Sequence, residues 1–395
     1  MSRTRPFYFE GRLPVSKSLF IRHAICQSYA SNFKASKKDA CEDIRSVISG
    51  LAALKNKKVI DCGEAATVLR FLALRASREI GTYVITGSRR LMERPHSELK
   101  NIFSNLKVKY EFGDQKINII SDGWKNPGAE IFVDRTISSQ FASSLLLNSW
   151  NLDFPLKISW KGETVSDGYW AMSLAVVLAM GMDVTCKRNS IEILANQKPN
   201  GTPIFEPDMS SAFAVAALAA AGGQCRILNF PEESLQPDAD FVDVLKAMGV
   251  SVSRKKNVLS VVGNENILPI EINLRNSPDM FPVLAVLCAF ARGKSRLWGA
   301  PHLVYKESNR LNRVFELLEK IGRGFEPLLD GAIIHGKPFD HENDNRFSIS
   351  YDSGSDHRLV MAACVARQFG FNIRIDSVSA VDKSFPQFKE IIQLW

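Results

Sequence analysis

One pattern recurs along this chain: a short cluster of small or polar residues, followed at once by a long apolar run. It reads SKSLFIRHAI from Ser16, GEAATVLRFLAL from Gly63 and SSQFASSLLL from Ser138. It returns as DMSSAFAVAALAAA from Asp208, SPDMFPVLAVLCAFA from Ser277 and SDHRLVMAAC from Ser355. Successive starts lie 47, 75, 70, 69 and 78 residues apart, which suggests six copies of one unit with insertions of different length. Ser, Asp or Gly at each entry supplies helix-start chemistry. Pro282 falls in a first turn, where its missing N–H does no harm. Runs apolar on most faces predict buried helices. Between them, β-branched stretches such as TYVITG, EIFVD, LKISW, SIEILA, NVLSVV, FSISYD and FNIRID predict strands. DFVDVLKAMGV and ESNRLNRVFELLEKIG predict further helices. Six α/β units of this kind imply helices inside and sheets outside, divided three and three near Glu206-Pro207.

A helix N-terminus presents N–H groups without intrahelical partners and a partial positive charge, which makes it a ready anion site. Six such entries converging would make an electropositive cleft. Lys17, Arg22, Arg94, Lys306, Arg310, Arg358 and Lys383 all lie at or near entries. Any one of them alone reads as a surface cation, and Asp356 alone as a helix cap. Repetition at equivalent places in the unit points to a site.

Composition narrows the classes. At 395 residues, two domains are expected. No apolar run is long enough to span a membrane, and the start MSRTRPFYFEGRLP lacks a secretory apolar segment. A soluble, cytoplasmic protein without a membrane partner is expected. The seven cysteines are scattered without a C-x-x-C pair, so neither a disulfide framework nor a zinc site is indicated. No histidine cluster suggests another metal. A net charge of +8 suits anionic partners, including nucleic acid or phosphorylated small molecules. The basic residues are dispersed, however, and the densest patch, Lys34 to Lys38, reads as a solvated loop. Nucleic acid is therefore not an expected partner.

In chain order, these motifs resemble those of the enolpyruvyl transferase family, in its 5-enolpyruvylshikimate-3-phosphate synthase branch. The resemblance runs from about Leu13 to Phe388 and implies a two-domain, inside-out α/β barrel with three repeated units per domain. It implies residues 16–207 as one lobe, 1–15 plus 208–395 as the other, and an active site in the interdomain cleft. LPVSKSLFIR implies Lys17 at both substrates, with Ser18 and Arg22 on shikimate-3-phosphate. GEAATVLR, with Glu64 and Ala66, resembles the loop beside phosphoenolpyruvate, and TGSRRLMERP implies Arg94 as a ligand of that molecule. ISSQFASSLL implies Ser138, Ser139 and Gln140 on shikimate-3-phosphate, with Gln140 also reaching phosphoenolpyruvate. VSDGY adds Ser166 and Tyr169. SPDMFP implies Asp279 as a catalytic acid or base that also touches shikimate-3-phosphate. HLVYKESNRL implies His302 and Lys306 on the same substrate, Glu307 in catalysis and Arg310 on phosphoenolpyruvate. SDHRLVMA and VDKSFPQF imply His357, Arg358 and Lys383 on phosphoenolpyruvate.

The implied reaction needs no cofactor or metal. Two strongly anionic molecules must share one cleft, so several lysines and arginines are needed for binding alone. Proton transfers need positioned groups, for which Asp279, Glu307 and Lys17 are the candidates. The resemblance also implies a monomer. The chain departs from the family at Glu64 in place of Asn, Ala66 in place of Gly, Asn309 in place of Asp and His302 where Asn is common. Phe20 and Ile21 replace polar residues, and a hairpin between Lys34 and Lys58 looks trimmed. The Ala66 methyl would crowd glyphosate, so reduced sensitivity to that inhibitor is expected. Three other readings share the pattern: a weakened paralogue, a non-catalytic anion- or RNA-binding protein, and the sister transferase acting on UDP-N-acetylglucosamine. The last family carries a Cys on its mobile loop, and SRRLMERP has none.

Overall fold

The computed structural model describes residues 6–30, 40–162, 164–264, 266–340, 344 and 348–393. Lys34 to Lys38 lie outside the described residues; the rest of the segment read as a trimmed hairpin, from residue 40 to Lys58, is described and is mostly a helix, Glu42–Lys55. The chain forms two compact units, Lys17–Phe205 and Met1–Ser16 with Glu206–Trp395. The first strand, β1 (Phe7–Gly11), belongs to the second of these.

The unit Lys17–Phe205 opens with helices α1 (Lys17–Gln27) and α2 (Glu42–Lys55). Then come β2 (Ile60–Asp61), α3 (Ala66–Ser77), β3 (Gly81–Thr86), the short α4 (Arg89–Met92), α5 (Ser97–Asn105), β4 (Lys109–Phe112) and β5 (Lys116–Ser121). They are followed by β6 (Ile131–Phe132), α6 (Gln140–Leu147), β7 (Leu156–Ser159), α7 (Asp167–Ala179), β8 (Val184–Lys187) and β9 (Ser190–Ile193). The two sheets, ordered β2-β3-β5-β4 and β6-β7-β9-β8, share one topology. In each, a parallel pair joined across a buried helix meets an antiparallel hairpin.

The other unit repeats this plan. It contains α8 (Met209–Ala220), β10 (Gly223–Ile227), α9 (Phe241–Ala247), β11 (Ser251–Lys255), β12 (Val258–Val262) and β13 (Glu271–Asn273). Next are α10 (Phe281–Ala289), β14 (Gly293–Trp298), α11 (Arg310–Lys320), β15 (Gly324–Leu328) and β16 (Gly331–Gly336). It ends with β17 (Ile349–Tyr351), α12 (His357–Phe369), β18 (Ile373–Ile375) and α13 (Phe388–Gln393). Its sheets run β1-β10-β12-β11 and β13-β14-β16-β15, with a two-stranded β17-β18 pair.

The recurrent apolar runs are α1, α3, α6, α8, α10 and α12, and all are largely buried. In α10 every residue is buried, and in α8 only Ser210 is not. Helices apolar all round leave no face for solvent, so they pack on one another. Thus α8, α10 and α12 make mutual contacts, as do α1, α3 and α6. The strands bury alternate residues against them, as Cys225 and Ile227 of β10 and Ala332 and Ile334 of β16 do.

The helix starts differ from expectation. Asp208 and Asp356 cap α8 and α12 by accepting from Ser211 N (2.8 Å) and Arg358 N (3.0 Å). The residue before α3 is Ala65, which has no side-chain acceptor, and α10 is entered through a 3-10 turn at Pro278–Met280. At α6 the acceptor is Ser138 rather than the adjacent Ser139 (Gln140 N to Ser138 Oγ, 3.2 Å). No helix among the described residues is long and apolar enough to cross a membrane.

Candidate active site

In the unit Lys17–Phe205, α1 enters with Lys17 and Ser18 and carries Arg22 one turn further along. Lys17 Nζ lies 2.7 Å from Asp43 Oδ2, on the first turn of α2. Arg22 is buried and spends its donors locally: Nε on Ser173 Oγ (2.8 Å), Nη1 on Ser18 O (2.9 Å) and Nη2 on Tyr169 O (3.2 Å). Burial lowers its pKa to about 10, so it stays cationic at neutral pH. Arg22 thereby ties the starts of α1 and α7 together, and Ser173 extends the link to Ser143 of α6 (2.8 Å).

Arg70, on α3, adds a second buried guanidinium to this unit. It donates to Gln140 Oε1 (2.8 Å), Ser138 Oγ (3.3 Å) and Pro95 O (2.9 Å), while Gln140 Nε2 donates to Thr67 Oγ1 (3.0 Å). Burial, with the nearby charge of Arg94, drives Arg70 well below the usual guanidinium range. Two cations held close in this way attract an anion. Sequence reasoning missed Arg70 and Asp43. The available signal for Arg70 was a lone guanidinium inside an otherwise apolar helical run; a buried Arg must find partners. Ser139 and Ser166 are buried, and Ser166 takes a left-handed conformation (φ 58°) at the start of α7. Ala66 is buried at the first position of α3, whereas Glu64, two residues earlier, is exposed. The turn before it uses Gly63 at φ 54°, where a side chain would be strained.

In the other unit the groups converge on Asp279. Its Oδ1 accepts from Arg310 Nη1 (2.8 Å) and lies 3.4 Å from Lys306 Nζ; its Oδ2 accepts from Arg358 Nη2 (2.7 Å). Arg310 also donates to Glu307 Oε2 (2.8 Å) and, through Nε, to Asp356 Oδ2 (2.8 Å). Asp356 is therefore both a helix cap and a counter-ion, and Ser308 Oγ donates to it as well (3.1 Å). Burial by itself would raise the pKa of Asp279; Arg358, Lys306 and Arg310 overcome it and hold the carboxyl well below the usual range. Burial likewise opposes the charge of Arg310, but Asp356, Glu307 and Asp279 hold its proton more tightly than usual. His302 is buried in the 3-10 turn at Pro301–Tyr305. Burial, then Lys306, lowers it to about 3, so it is neutral at physiological pH. His357 Nδ1 lies 3.8 Å from Asp356 Oδ1. Lys383 is buried in a 3-10 turn that packs on α12.

Asp238, also missed from sequence, sits on the 3-10 turn before α9 and accepts a hydrogen bond from Ser210 Oγ. Burial, then the charge of Asp279, pushes it up to about 6. A folded-state pKa above the unfolded one means that the folded chain binds more protons between about pH 4 and 6, so this group costs stability as pH rises through that window. Asp238→Asn is expected to stabilise the protein at pH 7 by on the order of 1–3 kcal/mol, the gain closing near pH 4. Urea midpoints at the two pH values check this. An equal shift at both would show that the charge of Asp238 is not its source.

Comparisons with known proteins agree on one family. Residues 27–392 match the model of EPSP synthase (3-phosphoshikimate 1-carboxyvinyltransferase). The chain is 31% identical to the 3-phosphoshikimate 1-carboxyvinyltransferase of Syntrophobacter fumaroxidans over 84% of its own length and 78% of the relative's. It is 30% identical to that of Methanosphaera stadtmanae, over 85% and 79%. Its fold matches an EPSP synthase from Acinetobacter baumannii with a TM-score of 0.76, covering 98% of this chain and 96% of that one. At 21% identity, this likeness bears on the fold alone.

Proposed function

The chain belongs to the EPSP synthase family, and we propose from that premise that it is a transferase moving the enolpyruvyl group of phosphoenolpyruvate to the 5-hydroxyl of shikimate-3-phosphate. In this reading it acts in the shikimate pathway, toward aromatic amino acids, and its fold is the inside-out α/β barrel. The observation that carries the chemistry is the convergence of Lys306, Arg310 and Arg358 on one ionised carboxylate, Asp279.

The reaction adds the 5-oxygen to C2 of phosphoenolpyruvate while C3 takes a proton. Loss of the C3 proton and departure of phosphate from the tetrahedral intermediate then restore the double bond. Asp279, ionised at neutral pH, suits removal of the hydroxyl proton, with Glu307 and Lys17 as the remaining proton carriers. Lys17, Ser18, Arg22, Ser138, Ser139, Gln140, Ser166 and Tyr169 would hold shikimate-3-phosphate, with His302 as a neutral hydrogen-bonding partner and Lys306 as a cation. Arg94, Arg310, His357, Arg358 and Lys383 would hold phosphoenolpyruvate. Anionic substrate groups would take over the cations that the carboxylates of the chain now neutralise.

Phosphate release from the purified protein, with each substrate omitted in turn, tests the reading. Release that requires both molecules is expected. Binding of either without release would leave an anion-binding protein.

Ala66 bears on inhibition. In this reading its methyl narrows the phosphoenolpyruvate pocket where the longer glyphosate must fit. Ala66→Gly is expected to increase glyphosate sensitivity roughly tenfold or more, since one methyl in a tight pocket is worth about 1–3 kcal/mol. Inhibition curves for the two proteins decide it, and coincident curves would remove Ala66 from the pocket.

A further inference from the structure

Helix α7 meets Arg22 through Ser173 Oγ and the main-chain carbonyl of Tyr169. Asp167 and Trp170, three apart, line a different space, a cavity of about 460 Å³ between the start of α7 and the β8–β9 hairpin. Trp160, Arg135, Cys186 and Arg188 line it too. That volume is typical of a small-molecule site. None of these residues belongs to the groups proposed above for the reaction.

Arg135 is the feature that calls for a ligand. It is only 2% exposed, with its guanidinium carbon 4.7 Å from the ring centre of Trp160 and 5.0 Å from that of Trp170. Nη2 donates to Asp167, while Nε has no hydrogen-bond partner among the described residues. A buried guanidinium N–H without an acceptor is costly, and burial outweighs Asp167 in lowering the pKa of Arg135. Among the described residues, Asp167 is the one carboxylate lining the cavity; a second would satisfy Nε and balance the charge of Arg188, which also lines it. The two indoles, edge to face with centres 5.2 Å apart, make the wall aromatic. We infer that this cavity is a binding site for a small aromatic carboxylate, held by Arg135 against Trp160 and Trp170. Arg135 lies three residues before Ser138, and Asp167 directly follows Ser166, so an occupant would touch both segments proposed to hold shikimate-3-phosphate.

Cys186 makes the site measurable without reference to the reaction, so failure here is separable from failure of the proposed function. It is exposed and lines the cavity, whereas the other six cysteines are buried. Iodoacetamide labelling of the folded protein, followed by intact mass, therefore reads Cys186. Benzoate is expected to slow labelling saturably, by about tenfold at ten times its Kd. Benzamide, the uncharged isostere, is expected to have little effect. Arg135→Leu should abolish protection. Because replacing the buried Arg135 also removes packing from the fold, Arg188→Ala, on the exposed hairpin, gives a second variant in which protection should weaken while the fold persists. Equal protection by benzamide, protection by inorganic phosphate but not benzoate, or protection unchanged in Arg188→Ala would each overturn the proposal. So would an absence of protection in the folded parent.

Discussion

Asp279→Ala is expected to lower phosphate release by about 10²- to 10⁴-fold, the usual contribution of a positioned general acid or base. The loss should fall mainly on kcat. Asp279 meets Lys306, Arg310 and Arg358 together, and those three cations keep it ionised at neutral pH. Alanine removes the proton acceptor but leaves the cations, so binding of anionic substrates should persist or tighten. A single-turnover measurement separates the two effects. A rise in KM at unchanged kcat would reduce Asp279 to a binding residue.

Arg310→Leu is expected to cost about 3–5 kcal/mol of stability, because removing one partner of a buried ion pair strands the other. Here the stranded group is Asp356, which is fully buried and pairs with Arg310 Nε, whereas Asp279 keeps Lys306 and Arg358. Arg310→Lys should recover only part of the loss, since an ammonium cannot match a planar guanidinium that donates to three carboxylates. Urea unfolding of the three proteins measures this. A midpoint within about 1 kcal/mol of the parent would mean that Arg358 and Lys306 suffice to neutralise the cluster.

The fold was largely legible because its signals are local. The run from Phe281 to Ala289 has no polar face, so it must be buried wherever the rest of the chain goes. Alternation in TYVITG, which became β3, marks one face of a sheet, and Tyr83 and Ile85 are the residues it buries. Helix capping was read too uniformly. A small or polar residue near a helix start does not reveal whether its side chain reaches a backbone N–H, and Ala65 and the Pro278–Met280 turn show two entries made otherwise.

The site was legible in part, and the reason is distance along the chain. Lys306, Glu307 and Arg310 stand close together and read as one motif. Asp279 meets Arg358 across 79 positions, and Arg70 meets Gln140 across 70, which no periodicity encodes. Asp238 lies in QPDADF among other acidic residues, and nothing in that spelling separates it from Asp240 or Asp243. Only its burial beside Ser210 and the charge of Asp279 give it a proton affinity of its own.

By itself the sequence determined that six apolar runs are buried helices, that several β-branched stretches between them are strands, and which residue types could bind anions. These follow from side-chain polarity and periodicity, which are properties of neighbours in the chain. Tertiary structure alone decided which carboxylate faces which cation, that His302 is neutral and Asp279 ionised, and that Arg135 is buried against a pair of indoles. These depend on charge separations of a few ångströms and on the loss of water around each group, quantities that exist only once distant segments have packed together.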